Sequence, residues 1–186
     1  MAHANAPLTL GTKAPNFALL DTLSDRLVTL NDVASPKATV IMFICNHCPY
    51  VKHILHEVVN VAKVYAQKGV NFVAISANDA IAYPQDGPQE MKALAKKLDF
   101  PFPYLYDQTQ QIALTFHAEC TPEFFVYDRN MRLAYHGQFD DSRPNNQVPV
   151  TGNDLKQALD LLLDDKPAQE LQKPSVGCSI KWRPQE

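Results

Sequence analysis

The chain has 186 residues, a net charge of −3 and a pI near 6.0, with 46% hydrophobic and 20% charged residues. That is enough chain for one sizeable core, burying about 70% of its unfolded surface. The balance excludes the basic footprint of a nucleic-acid or anionic-membrane binder, and four cysteines are too few for a disulfide scaffold.

In chain order, residues 8–37 read as an extension of short strands and turns. Phe17–Leu20 and Leu27–Leu30 supply the apolar runs, and Gly11, Pro15 and Pro36 the punctuation. Ala38 to Ile44 is near-continuously apolar, as in the middle of a sheet covered on both faces. From Pro49 to Lys68, Val51, Ile54, Leu55, Val58, Val59, Ala62 and Tyr65 recur at three- and four-residue spacing, which predicts an amphipathic helix stopped by Gly69. Pro49 fits its first turn, where no intrahelical bond is due. Val70–Ser76 is a second buried strand, completing a right-handed strand–helix–strand unit.

Residues 83–88 read as a loop, 89–97 as a short helix, 104–106 as a brief strand and 108–116 as a further helix. Glu123–Asp128 and Met131–His136 flank Arg129-Asn130 as a hairpin, and Thr151 or Asn153 caps a helix running to Leu163. Residues 166–186 form a proline-bearing tail. The expectation is one domain over 1–186, of α/β class, with a central mixed sheet flanked by helices. No apolar stretch reaches the ~18–20 residues of a membrane span. Met1–Leu10 carries no basic, then apolar leader pattern, and the expected location is cytoplasmic.

Cys45-Asn46-His47-Cys48 joins the apolar strand to the helix, and a strand that turns into a helix through C-x-x-C is a thioredoxin-type redox arrangement. Unpaired N–H groups and the helix dipole favour an anion at a helix N-terminus. Cys45 is expected there as a thiolate, with Cys48 one turn later as its disulfide partner. His47 adds a cation or dipole that stabilises the thiolate. A zinc or copper site is the competing reading, but a lone C-x-x-C lacks a second ligand pair, so no metal is expected. His53 and His56 fall on the helix surface, and His117 and His136 read as ordinary polar positions. Cys120 is either a small apolar filler or a neighbour of the dithiol. Cys178 reads first as an inert tail cysteine, and second as an auxiliary thiol that resolves a mixed disulfide or bridges to Cys120. Asp140, Asp141 and Arg143 read as a local ion cluster.

At Thr121-Pro122 the chain resembles the thioredoxin superfamily, which sets a cis-proline loop before an antiparallel strand, opposite the redox cysteines. Further matching pieces are Gly11–Phe17, Cys45–Lys52, Ile75–Asn78, Phe102–Asp107, Cys120–Pro122, Asp140–Arg143 and Ser175–Trp182. Together they resemble the redoxins of the alkyl-hydroperoxide-reductase and thiol-specific-antioxidant type, within them a peroxiredoxin-like subgroup carrying C-x-x-C.

The resemblance implies a thioredoxin-like fold and a thiol–disulfide oxidoreductase without cofactor. Its Cys45/Cys48 couple would exchange with protein or small-molecule disulfides, supplied by a thioredoxin- or glutathione-type reductant. Thr121, Pro122 and Glu123 would form the substrate edge. Departures accompany it. Peroxiredoxins keep their attacking cysteine where Cys48 stands and a threonine where Cys45 stands; for their arginine, Arg143 is the candidate. Thioredoxins carry tryptophan and a buried acid where this chain has Ile44 and Thr39, and Glu123 would then handle protons. Thiol peroxidase is thus the alternative activity. A Cu(I) chaperone resembling those of cytochrome oxidase assembly is a third, resting on His136 as the distant histidine.

Overall fold

The computed structural model describes residues 8–169 and 171–184. Residues 1–7, over most of which the leader pattern was sought, lie outside them. Seven strands make one mixed sheet: β1 (Ala18–Asp21), β2 (Leu27–Thr29), β3 (Ala38–Phe43), β4 (Val70–Ser76), β5 (Tyr104–Tyr106), β7 (Glu123–Asp128) and β8 (Leu133–Gly137), in the order β2-β1-β5-β4-β3-β7-β8. Two further two-residue strands, β6 (Cys120–Thr121) and β9 (Cys178–Ser179), pair with each other. The helices are α1 (Leu30–Val33), α2 (Pro49–Ala66), α3 (Pro88–Lys97), α4 (Gln111–Thr115) and α5 (Asn153–Leu163).

All six residues of β3 are buried because the strand is central, parallel to β4 on one side and antiparallel to β7 on the other. Alternation then divides its side chains between two cores. Val40 and Met42 face α2, α3 and α5 with Val51, Leu55, Val58, Met91 and Leu155. Ile41 and Phe43 face the other side, where Phe43, Phe116 and Phe125 form an aromatic knot with centroids 5.6–5.9 Å apart. Each fully buried ring of that knot contributes roughly 1.5–3 kcal/mol.

The thioredoxin-like fold expected from the sequence is present: a mixed sheet with helices on both faces. The expected extension is less separate than its name suggests, since β1 pairs antiparallel with β5 and carries residues 18–29 into the main sheet. Within it α1 is an unpredicted helix, capped reciprocally by Thr29 and Asp32. The helix expected over 108–116 shortens to Gln111–Thr115 because Gln110 adopts a left-handed conformation, φ 63°. Neither Thr151 nor Asn153 caps α5. Gly152 does, at φ 69°, while Asp140 Oδ2 accepts the N–H groups of Thr151 and Gly152 at 2.6 Å each.

After α5 the tail runs along β8: Gln172 Oε1 accepts from His136 N at 2.8 Å, and Lys173 O from Gln138 N at 3.0 Å. No described helix is long and apolar enough to cross a membrane.

Candidate active site

β3 pairing with β4 continues one residue past the strand, through Ile44 N to Ile75 O at 3.0 Å. The chain then bends at Asn46-His47 and enters α2 at Pro49, which stands at N1. The sequence expectation set Cys45 at the helix N-terminus. The helix instead takes Cys48 as its N-cap, with extended backbone (φ −61°, ψ 124°), because a proline at N1 fixes the boundary immediately before itself. Cys45 therefore belongs to the strand-end bend and Cys48 to the electropositive helix end. Both sulfurs are covered, with Cys45 1% and Cys48 0% exposed.

Facing them is Thr121, joined to Pro122 by a cis peptide bond. Its hydroxyl lies 3.4 Å from Cys45 Sγ, and its carbonyl oxygen lies 3.3 Å from Cys48 Sγ as acceptor. A second thiol meets Cys48 from β9: Cys178 Sγ is 2.8 Å away. The tail thus reaches the site, and Cys178, favoured from the sequence as an inert tail cysteine, stands against the dithiol instead.

Hydrogen bonding divides the thiols. The neighbouring Cys48 sulfur and burial push the Cys45 thiol well above its ordinary range, and the Asp86 carboxylate adds to this. Cys48 is drawn down to about 4, first by the neighbouring Cys45 thiol, with the Cys178 thiol and the Val51 N–H assisting against burial. Cys178 is pushed up to about 11, by burial first. Cys120, half-buried on β6, is pushed up to about 12 by burial and by the Glu123 and Glu119 carboxylates.

The bend is held by a residue that sequence reasoning missed. Asp86, fully buried at the end of a 3-10 turn over Pro84–Asp86, accepts from Asn46 N at 2.8 Å and His47 N at 3.1 Å through Oδ1. Its Oδ2 meets His47 Nδ1 at 2.5 Å and accepts from Asn78 Nδ2 at 2.8 Å. Tyr104 donates to Asn46 Oδ1 at 3.0 Å, and the His47 ring stacks on Tyr83 with centroids 5.2 Å apart. His47 is thus oriented by Asp86 and Tyr83 beside the dithiol. The only sequence signal was an aspartate in a Pro-Gln-Asp-Gly-Pro turn, forty residues from the cysteines.

Residues 10–136 match the AhpC/TSA family. The chain belongs to the AhpC/TSA family. It is 56% identical over 96% of its length to an uncharacterized conserved protein from Geobacillus kaustophilus, covering 94% of that chain with a TM-score of 0.94. A hypothetical protein from Sinorhizobium meliloti 1021 is 44% identical over 95% of this chain and 96% of its own, with a TM-score of 0.92. A thioredoxin-family thiol:disulfide interchange protein from Chlorobium tepidum TLS shares the fold at 18% identity, TM-score 0.64, over 85% of this chain and 99% of its own. No curated protein matches the chain.

Within this AhpC/TSA chain, the remaining predicted residues fall into place. Glu123 is buried on β7. Its Oε2 accepts from Glu119 N at 2.8 Å and Cys120 N at 3.2 Å, and its Oε1 meets His136 Nε2 at 2.6 Å. These partners make Glu123 the anchor of the cis-proline loop; no thiol is among them. His136 is taken up by that bond and by stacking on Phe125 at 4.2 Å. Arg143 donates to the carbonyls of Asp140 and Ser142 and to Gln138, so its guanidinium organises its own loop. His53 bonds Ser142 Oγ at 2.6 Å, and His56 is exposed.

Of groups able to hold a metal, Cys45, His47 and Asp86 have ligand atoms within 4.8 Å of one another. Both Asp86 oxygens and His47 Nδ1 are already spent on the hydrogen bonds above. That donor set fits a structural clamp better than an ion.

Proposed function

We propose that this protein is a thiol–disulfide oxidoreductase working through the Cys45/Cys48 couple. The observation that carries the reading is the pair of buried cysteines at the strand–helix bend, both meeting Thr121 of the cis Thr121–Pro122 bond, at 3.4 Å and 3.3 Å. Cys48 gives up the proton it shares with the Thr121 carbonyl and attacks one sulfur of a substrate disulfide as thiolate, and the other substrate sulfur leaves and takes that proton. Cys45, 3.4 Å from the Thr121 hydroxyl, then attacks Cys48 Sγ. Its proton passes to the departing substrate sulfur, leaving a Cys45–Cys48 disulfide and two substrate thiols. A thioredoxin-like dithiol or two glutathione molecules reduce that disulfide again.

The spacing of the motif had assigned attack to Cys45. Helix start and hydrogen bonding favour Cys48, the N-cap residue, because the thiolate is the nucleophile. The same feature supports thiol peroxidase as a second reading, since a thiolate at that position also meets peroxide. Against it, a thiol stands at position 45 where the family resemblance calls for a hydroxyl, and Arg143 is engaged in its loop.

First-turnover kinetics test the assignment. Reduced wild type, Cys45→Ser and Cys48→Ser are mixed with glutathione disulfide or hydrogen peroxide, and released glutathione or oxidised protein is followed. Cys45→Ser is expected to keep the first step and Cys48→Ser to lose it, with disulfide exchange outrunning peroxide reduction. A Cys48→Ser chain reacting at the wild-type rate overturns the role given to Cys48. Saturable peroxide turnover faster than disulfide exchange overturns the oxidoreductase reading.

A further inference from the structure

Strand β9 lies along the cis-proline loop as an incoming peptide strand would. Cys120 pairs with Ser179 and Thr121 with Cys178 in antiparallel register, and Ile180 N donates to Glu119 O at 3.1 Å. The approach is close because residue 177 is glycine. A Cβ there would stand 2.0 Å from the Thr121 carbonyl oxygen and 3.1 Å from Pro122 Cδ. The following residues tie the strand down. Lys181 N donates to Asn78 Oδ1 at 2.9 Å, Lys181 O accepts from Asp79 N at 2.9 Å, and Arg183 N donates to Gln110 Oε1 at 2.9 Å.

This anchoring sets Cys178 Sγ 2.8 Å from Cys48 Sγ, so bond formation needs a shift of under about 1 Å. Exposure separates the three sulfurs: Cys45 and Cys48 are buried, whereas Cys178 is half-buried.

We infer that Cys178 is the third thiol of the redox centre, forming a disulfide with Cys48 and passing electrons between the buried pair and an external dithiol. The inference rests on the exchange function proposed above. In the oxidised Cys45–Cys48 form, Cys178 gives up its proton and attacks Cys48 Sγ. The Cys45–Cys48 bond breaks, the Cys48–Cys178 bond forms, and Cys45 leaves as a thiolate that takes the proton. No electrons are gained or lost. An external dithiol then attacks the accessible Cys178 sulfur and Cys48 leaves as thiolate. The second thiol of the reductant frees Cys178, so the reductant ends as a disulfide and two electrons reside on Cys48 and Cys178. In the second of these steps the leaving sulfur is Cys48, whose low proton affinity speeds its departure.

The test is peptide mapping of the full chain after treatment with glutathione disulfide and alkylation of remaining thiols. The Cys45→Ser chain is expected to give a Cys48–Cys178 cross-link free of glutathione. Glutathione retained on Cys48 with Cys178 alkylated overturns the inference and leaves the exchange function standing. The thiol oxidant diamide, run in parallel on Cys45→Ser, needs no disulfide exchange by the protein. Should wild type fail to react with glutathione disulfide, the exchange function falls, and a diamide-formed Cys48–Cys178 link still upholds the pairing while its absence overturns it. Gly177→Ala, which leaves every thiol in place, is expected to lower the cross-link yield and speed alkylation of Cys48. Unchanged yield and alkylation in that variant would mean that β9 does not govern the site.

Discussion

Replacing Asp86 is the perturbation with the most to say about how the redox bend is held. Asp86→Ala removes a fully buried carboxylate and strands four donors: the N–H groups of Asn46 and His47, the His47 ring and the Asn78 amide. Deleting one member of a buried charged network costs about 3–5 kcal/mol. Desolvation agrees in size, since an orphaned buried donor costs about 1–3 kcal/mol; Asn78 is buried, while Asn46 and His47 are half-buried and partly rehydrate. At roughly 2–4 °C per kcal/mol for a chain of this length, the melting temperature should fall by about 6–20 °C. Asp86→Asn keeps Oδ1 for the two backbone N–H groups but turns an amide donor toward the Asn78 amide. It loses the two Oδ2 bonds, to His47 and Asn78, rather than all four, and should cost about 1–3 kcal/mol. Urea unfolding of the reduced chain gives both values, and cysteine alkylation rates report whether the bend has loosened. An Asp86→Ala chain within about 1 kcal/mol of wild type and alkylated no faster would refute the clamp.

Stability of the reduced chain should depend on pH through the thiols. A folded-state value near 4 for Cys48 lies below that of an unfolded thiol, so its contribution grows as pH rises from 4 to about 8.5 and is lost on acidification through 4. Above about 8.5 the raised Cys45 works the other way and stability falls; subtracting the Cys48→Ser curve from wild type isolates the rising limb, and a flat difference between pH 5 and 8 contradicts the thiolate. Gly152→Ala should destabilise by about 2–4 kcal/mol in urea titrations, combining left-handed strain with overpacking, because its Cβ would stand 2.6 Å from the Phe139 ring. Glu123→Gln should leave first-turnover exchange within about tenfold of wild type while lowering stability, since its oxygens hold the loop and His136; loss of exchange with stability intact would give Glu123 a proton-transfer role instead.

Much of this was legible in the residues, for identifiable reasons. β3 and β4 are unbroken apolar runs, and α2 announces itself by spacing, so the strand–helix–strand unit around the cysteines was readable at once. The helix start at Pro49 was readable too, but the C-x-x-C motif drew Cys45 to that terminus, whereas proline at N1 makes Cys48 the cap. The Thr29/Asp32 capping box of α1 was also written in the sequence, masked by the neighbouring strand signal. The Asp86 clamp and the β6–β9 pairing were hidden for another reason. Each depends on a contact across a long separation, made by one side chain or by two residues a strand, too little for any periodicity to register.

The tail's course along β8 has a consequence for solubility. The seven-stranded sheet ends at β8, and an uncovered end strand offers its amide and carbonyl groups as a template for joining another molecule. Here Gln172 and Lys173 occupy part of that row, and a Cβ on Gly137 would lie 2.2 Å from the Lys173 carbonyl oxygen, so cover and strand are in direct apposition. Shortening the chain after Leu163 would therefore do more than remove a cysteine. It would unsheathe the sheet, and the shortened protein should self-associate through β8 even in the presence of reductant.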